Sequence, residues 1–378
     1  MGLNRIKIEG FKSIESLDLE LGPLNVLIGA NGSGKSNLLF AFRLLNAISS
    51  NNLRNFVATY GGPDSFLRFG RKETQRICIE ISFTEGHEYR ISLIPTPPNV
   101  LIIEKESAII HAPDYDRDHK FWDFGGAGLD ESSLHQPGDN KKRILVPLLL
   151  DEMNRLRVYH LNDTGDKAPV KGMWAINDNI YLRPDFSNLA AFLYLLQHNY
   201  RKHYDAIRDT IRLVAPFFKD FALRPNPFND HSIQLEWHER GHDTPWLAHH
   251  LSDGTLRFIC LATLLLQPNP PSTILIDEPE LGLHPYALNV LAALMKGASQ
   301  KAQIIIATQS VSLVSQFEIG DLLVVDRVPK DTTATRSSDS RHITEIRRLD
   351  EKSYSDWLEE YSVGELWEKN ILGGRRSG

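Results

Sequence analysis

An α/β fold with a mixed sheet, built around a phosphate loop, is what three stretches of this chain predict. GANGSGKS at 29–36 follows an apolar run and opens a helical pattern. ILIDEPE at 274–280 places two adjacent carboxylates at the end of a second apolar run, and LSDGT at 251–255 opens an apolar helix ahead of it. With 378 residues, 42% hydrophobic and 24% charged, the chain is long enough to bury a sizeable core. The net charge of −6 gives no global attraction to nucleic acid, so any such contact must come from local patches.

The elements follow in order. LNRIKIEGFKSIESLDLEL alternates apolar and polar residues twice, turns at Gly22-Pro23 and runs apolar to Ile28, predicting two antiparallel strands and a buried one. The glycines of the loop come next, then a helix from LLFAFRLLNAI. Residues 74–106 predict three more strands, joined at Glu85-Gly86 and Pro95–Pro98, the makings of an antiparallel subsheet. Residues 111–143 are rich in Asp, Gly and His without a period and read as a loop or insertion. VYHLNDTG predicts a strand and turn, and RPDFSNLAAFLYLLQHNYRKHYDAIRDTIRLVAPFF two helical stretches, with Ser187 and Asn188 as caps of the first. HSIQLEWHER reads as one strand, AQIIIATQS as a buried strand, and DLLVVDRV with HITEIRRL as paired edge strands. The helices fall short of sustained heptads, so long coiled-coil arms are not expected.

GANGSGKS fits G-x-x-x-x-G-K-[ST] in the strand–loop–helix context its chemistry requires. Glycines 29, 32 and 34 let backbone N–H groups converge on a phosphate at a helix N-terminus. The nucleotide-binding set is Gly29, Asn31, Gly32, Ser33, Gly34, Lys35, Ser36 and Asn37. Lys35 would reach the β- and γ-phosphates, and the Ser36 hydroxyl, with Asp277, would hold Mg²⁺. Glu278 directly after Asp277 would position or deprotonate a water in line with the γ-phosphate. Ser252 and the backbone at Gly254 form a second anion site at a helix start, which has no evident use on its own subunit's nucleotide and fits a partner's. Gln309, at the end of the next buried strand, would approach the γ-phosphate or the attacking water. Each has a plainer reading: a capped helix for LSDGT, a strand-end cap for Gln309, a shaped turn for Gly282 and Pro285.

Other clusters read as structural. Cys78 and Cys260 sit in apolar runs, suiting buried thiols in a reducing cytoplasm. Histidines 231, 238, 242, 249 and 250 lack ligand spacing for zinc. Asp114, Asp116, Asp118 and Asp123 read as a solvated acidic loop rather than nuclease carboxylates. The small basic groups Lys141–Arg143, Arg201–Lys202, Arg347–Arg348 and Arg375–Arg376 read as solvated faces. SYSDWLEEYSVGELWEKNILGG reads as a helix packed on its own domain. No apolar run approaches a membrane span, so no membrane partner is expected.

Together IKIEGFKSIESLDLELGPLNVLIGANGSGKSNLL, VYHLNDTG, RPDFSNLAAFL, LSDGT, ILIDEPELGLHP, ATQS and EYSVGELWEKNILGG resemble the ABC-type ATPase heads of the SMC, RecF and OLD group. Within it they resemble a short bacterial subfamily of AAA-type ATPases. The resemblance implies an α/β P-loop NTPase fold, an ABC-ATPase-like two-lobed head with a mixed sheet, an antiparallel β-subdomain and a small helical lobe. On this reading residues 1–378 form a single ATPase domain. The parts are 1–110 with the phosphate loop and subsheet, 111–185 an insertion and connecting strand, 186–250 a helical lobe, and 251–378 the signature, the Asp-Glu strand and the closing strands. It further implies ATP with Mg²⁺ as ligands, a homodimer sandwiching two ATPs, and DNA or a separate effector protein as partner in genome maintenance or antiphage defence. The chain departs from the pattern at Asp253, where many members carry glycine, and at Gln309, where transporters carry histidine. No glutamine stands where a glutamine loop is expected; Asn162 and Asp163 occupy that neighbourhood. A low-turnover ATP clamp and a small-molecule kinase are the alternatives.

Overall fold

The computed structural model describes residues 2–97, 99–110, 120–125, 127–136, 140–161, 163–330 and 342–374. In chain order come β1 (Leu3–Phe11), β2 (Ile14–Glu20), β3 (Leu24–Ile28), α1 (Lys35–Ser49), α2 (Leu53–Thr59), β4 (Ile77–Phe83), β5 (Glu88–Pro95), β6 (Leu101–Ile110), β7 (Lys120–Gly125), α3 (Asn140–Asn154) and β8 (Leu156–Tyr159). Then come β9 (Trp174–Ala175), α4 (Leu189–Asn199), α5 (Arg201–Val214), β10 (Phe218–Phe221), β11 (Ser232–Ile233), β12 (Glu236–Glu239), β13 (Trp246–Leu247), α6 (Asp253–Leu266) and β14 (Thr273–Asp277). The chain continues through α7 (Pro285–Ala298), β15 (Gln303–Thr308), α8 (Val311–Val314), β16 (Leu322–Pro329), β17 (His342–Arg348), α9 (Ser355–Leu358) and α10 (Val363–Glu368).

Two compact units emerge: Met1–Arg157 with Pro271–Leu275 and Ala302–Gly378, and Val158–Pro270 with Ile276–Lys301. The first carries an antiparallel sheet of order β2-β1-β4-β5-β6-β7 and a mixed sheet of order β17-β16-β3-β15-β14-β8. The antiparallel strands alternate buried and half-exposed residues, as in β4, because one face is covered and the other is not. β3 and β15 are buried along their whole length, as expected of strands covered on both faces. Each fully buried Leu, Ile or Val there contributes roughly 1.5–3 kcal/mol. Both β15 and β16 run parallel to β3, with Thr308 and Val324 each beside Ile28. The chain therefore leaves β3 and β15 at the same carboxyl edge, where α/β sheets gather ligands.

Buried Gln303 ties this sheet to the opening strand: its side chain accepts from Leu3 N at 3.1 Å and donates to Leu3 O at 2.8 Å. Only β17 is an edge strand of the closing pair; β16 lies between it and β3, which its four buried leading residues Leu322–Val325 explain. Segment 111–143, expected to be aperiodic, contains β7 on the sheet's rim and the start of α3. α3 runs through Pro147 because Val146, Leu149 and Met153 bury one helical face, offsetting the lost ladder bond.

The second unit gathers α4–α7 with the small sheets β10-β12-β13 and β11-β9. HSIQLEWHER forms two strands, β11 and β12, not one. Asn188 occupies the N-cap of α4, but its side chain serves the preceding loop instead: it accepts from Arg183 N and donates to Asp178 O and Tyr181 O. The apolar α6 buries nine consecutive-turn residues from Leu256 to Leu265, and Asp253 in its first turn complements the helix dipole.

Candidate functional site

In the first unit the phosphate loop hangs between β3 and α1. Gly34 is the N-cap of α1 at φ 117°, with no side-chain cap and no acidic residue in the first turn, so no side chain of the helix neutralises its leading amides. Gly32 at φ 76° has open space where a Cβ would point, while a Cβ on Gly34 would lie 2.2 Å from Thr344 Oγ1. One glycine leaves the cradle open; the other lets β17 support it. Lys35 is buried and its ammonium donates to the loop's own carbonyls, Gly29 O at 2.6 Å and Ala30 O at 3.0 Å. Ser36 and Asn31 are exposed, and the buried Ser33 hydroxyl has no hydrogen-bond partner among the described residues. A cradle with an uncapped helix start, an orphaned hydroxyl and a folded-back lysine fits a polyphosphate.

The loop is braced by residues the sequence reading missed. Thr344 Oγ1 donates to Ser33 O at 2.8 Å and shares a 2.7 Å bond with Ser13 Oγ, which also accepts from Asn37 Nδ2 at 2.6 Å. One proton arrangement satisfies all three: Asn37 donates to Ser13, Ser13 to Thr344, Thr344 to the loop. Lys12, next to Ser13, places its ammonium 4.3 Å over the ring of Phe40 on α1, and burial pushes its pKa below the usual lysine value. Gln309 follows β15 directly and is half-buried, at the edge from which the phosphate loop also departs.

In the second unit Asp277 closes β14 and Glu278 follows it at φ 46°, a left-handed conformation uncommon outside glycine. Both acids line a cleft with Tyr159, Phe186 and Arg257. Arg257 escaped sequence reading; its signal was its place on α6, five residues after Ser252. Ser252 is exposed and caps α6, its hydroxyl accepting from Thr255 N at 3.2 Å. A Cβ on Gly254 would lie 2.2 Å from Gly282 O, and Gly282 itself has φ 74°, so the LSDGT and ELGLHP loops touch backbone to backbone. His284 caps α7 through Nδ1, with Pro285 at its first position.

The remaining candidates fall outside these constellations. Asn162, Asp114, Asp116, Asp118, Arg375 and Arg376 lie outside the described residues. Asp163 accepts from Gly165 N at 2.9 Å and shapes a turn, while Asp123 is exposed on β7. His242 and His250 pack their rings against Trp246, at 5.8 and 4.9 Å. Arg201 pairs with Asp205 on α5. Arg347 is exposed, as expected, and donates to Leu372 O at 2.6 Å, whereas Arg348 is half-buried rather than solvated and donates to Gly320 O at 2.9 Å. Among the described residues no helix is long and apolar enough to cross a membrane.

The chain is similar to several known proteins. An OLD nuclease from Thermus scotoductus is 25% identical over 347 residues, spanning 86% of this chain; the chain covers 62% of that protein's length. The RecF DNA replication and repair protein of Edwardsiella ictaluri is 25% identical over 355 residues, 85% of this chain and 96% of RecF. Two solved Smc heads superpose. One, bound to the C-winged helix domain of ScpA, has a TM-score of 0.57 at 15% identity, covering 93% of this chain and 99% of that one. The other, from Pyrococcus furiosus with an extended coiled coil and the C-terminal domain of ScpA, has a TM-score of 0.57 at 13%, covering 95% and 99%. The fold is thus that of the Smc head domain. From residue 24 to residue 315, well over half its length, the chain matches and belongs to the family described as "AAA domain, putative AbiEii toxin, Type IV TA system".

Proposed function

We propose that this protein binds and hydrolyses ATP in a homodimer that sandwiches two nucleotides, and that the ATP state sets its engagement with DNA or a separate effector protein. Glu278 carries the reading: a carboxylate held in a left-handed backbone conformation, directly after Asp277 and in one cleft with Arg257. Backbone strain of that kind costs about 1–3 kcal/mol and concentrates where a side chain must be aimed.

The residues divide the work. The amides of Gly32–Ser36 and the Lys35 ammonium bind the phosphates, Lys35 exchanging its loop carbonyls for phosphate oxygens. Ser36 would offer its hydroxyl to Mg²⁺, which when bound supplies charge neutralisation on the transferring phosphoryl group, and Asp277 is the carboxylate that the sequence offers as a ligand. Glu278 accepts the proton of the attacking water or orients it, and Gln309 hydrogen-bonds at the γ-phosphate. Ser252 and Gly254 present the start of α6 to the nucleotide of a second subunit. The OLD nuclease and RecF relatives support a setting in DNA metabolism, within which we place genome maintenance or antiphage defence.

ATPase rate and particle mass, measured with and without duplex DNA for the wild type and Glu278→Gln, test this. Turnover in the wild type, with an ATP-trapped dimer in Glu278→Gln, is the expected outcome. A wild type that binds ATP and dimerises without turnover would convert the reading to a clamp. Phosphate transfer to a small molecule by a monomer would replace it with a kinase.

A further inference from the structure

We propose that the segment Ser362–Gly374 is a strap that holds the phosphate loop in its binding shape, with Gly374 and Asp326 as positioning residues for the nucleotide. The inference rests on reading that loop as a nucleotide site, and goes beyond it by adding a part that no motif of the loop contains.

The strap is anchored first. Ser362 and Glu365 form a reciprocal capping box that starts α10. Gly364 presses α10 on α8 so closely that a Cβ would lie 1.9 Å from Ser315 Oγ. Leu366, Trp367 and Leu372 are at most 2% exposed. From this anchor the chain turns through Asn370 at φ 59° and Gly373 and Gly374 at φ 82° each.

Two bonds to side chains fix its end, and one backbone bond then reaches the loop. Arg347 donates to Leu372 O at 2.6 Å, Gly374 N donates to Asp326 Oδ1 at 2.8 Å, and Ala30 N donates to Gly374 O at 2.6 Å. Ala30 N and Gly29 O belong to one rigid peptide plane. Its N–H side is held by the strap, and its C=O side accepts from Lys35 Nζ at 2.6 Å. The orientation of that plane therefore fixes where the phosphate-binding lysine rests. Both positions favour glycine: a Cβ on Gly29 would lie 2.4 Å from Val325 O, and at Gly374, whose φ of 82° strains any L side chain, one would lie 3.1 Å from Val324 Cγ1 and 3.4 Å from Gly29 Cα.

A loop held in one shape binds without first being ordered, so the strap acts on affinity. Linkage makes the effect reciprocal: nucleotide bound at the loop must stabilise the strap.

The test uses the full chain with ADP and Mg²⁺ as the probe. Asp326→Ala and Gly374→Val should each weaken ADP binding and raise the KM for ATP by roughly 10-fold or more, with kcat at saturating ATP held within about 2-fold and, for Asp326→Ala, the melting temperature close to wild type. Asp326→Asn, which keeps an oxygen acceptor for Gly374 N, should restore affinity to within about 3-fold. Unchanged affinity in Asp326→Ala and Gly374→Val would overturn the proposal, as would a loss of kcat without a change in KM. If those variants fail to fold, amide exchange in the wild type decides: ADP should slow exchange across residues 370–374, and identical exchange with and without ADP would refute the strap. A wild type that binds no ADP would instead overturn the nucleotide reading on which the strap rests.

Discussion

At the scale of single residues, Glu278 and Lys35 are complementary commitments. Glu278→Gln should cut kcat by roughly 10²-fold or more while leaving ATP affinity intact, because only the attacking water loses its base. Asp277 and Glu278 were legible as an adjacent pair of acids; the φ of 46° at Glu278 was not, since nothing in the letters records backbone strain. Arg257 was hidden for a related reason: a lone arginine on an apolar helix gives no pattern until the fold brings it into the cleft with those acids. A second residue carries a stability test unrelated to chemistry. Glu152 is buried, its Oε2 has no partner among the described residues, and desolvation followed by the nearby Glu85 raises its pKa above the usual carboxylate value. The folded state thus prefers the protonated acid, and the ionised form is penalised as pH rises through that raised pKa. Glu152→Gln should raise the melting temperature at pH 7 by on the order of 1–2 °C, and by less as the pH falls below the raised pKa, where wild-type Glu152 is also neutral; calorimetry at both pH values checks it.

At the scale of elements, the glycines do what side chains cannot. Gly254→Ala sets a Cβ against Gly282 O and should separate the LSDGT and ELGLHP loops. Turnover should fall by about 10-fold or more with ATP binding by the phosphate loop unchanged, as followed by parallel rate and equilibrium-binding measurements. Strand β3, α1, the antiparallel strands and the helical pair were readable because hydrophobic period and burial agree there. β7 and α3 were not, since a short strand on a sheet rim and a helix containing Pro147 each break the local rule and are decided by tertiary burial. The same holds for the Ser13–Thr344–Ser33 brace, which joins residues 331 apart in sequence.

At the scale of the whole molecule, the proposed function requires each nucleotide's lifetime to depend on assembly. The exposed Ser252, capping α6 beside Gly254, whose backbone meets the ELGLHP loop, is where that dependence would enter. The most direct measurement is the mass and ATPase rate of Ser252→Arg beside the wild type, in saturating ATP and Mg²⁺. Ser252→Arg should bind ATP through Lys35 with near wild-type affinity, remain monomeric and lose turnover. A Ser252→Arg protein hydrolysing ATP at the wild-type rate as a monomer would contradict the proposed function.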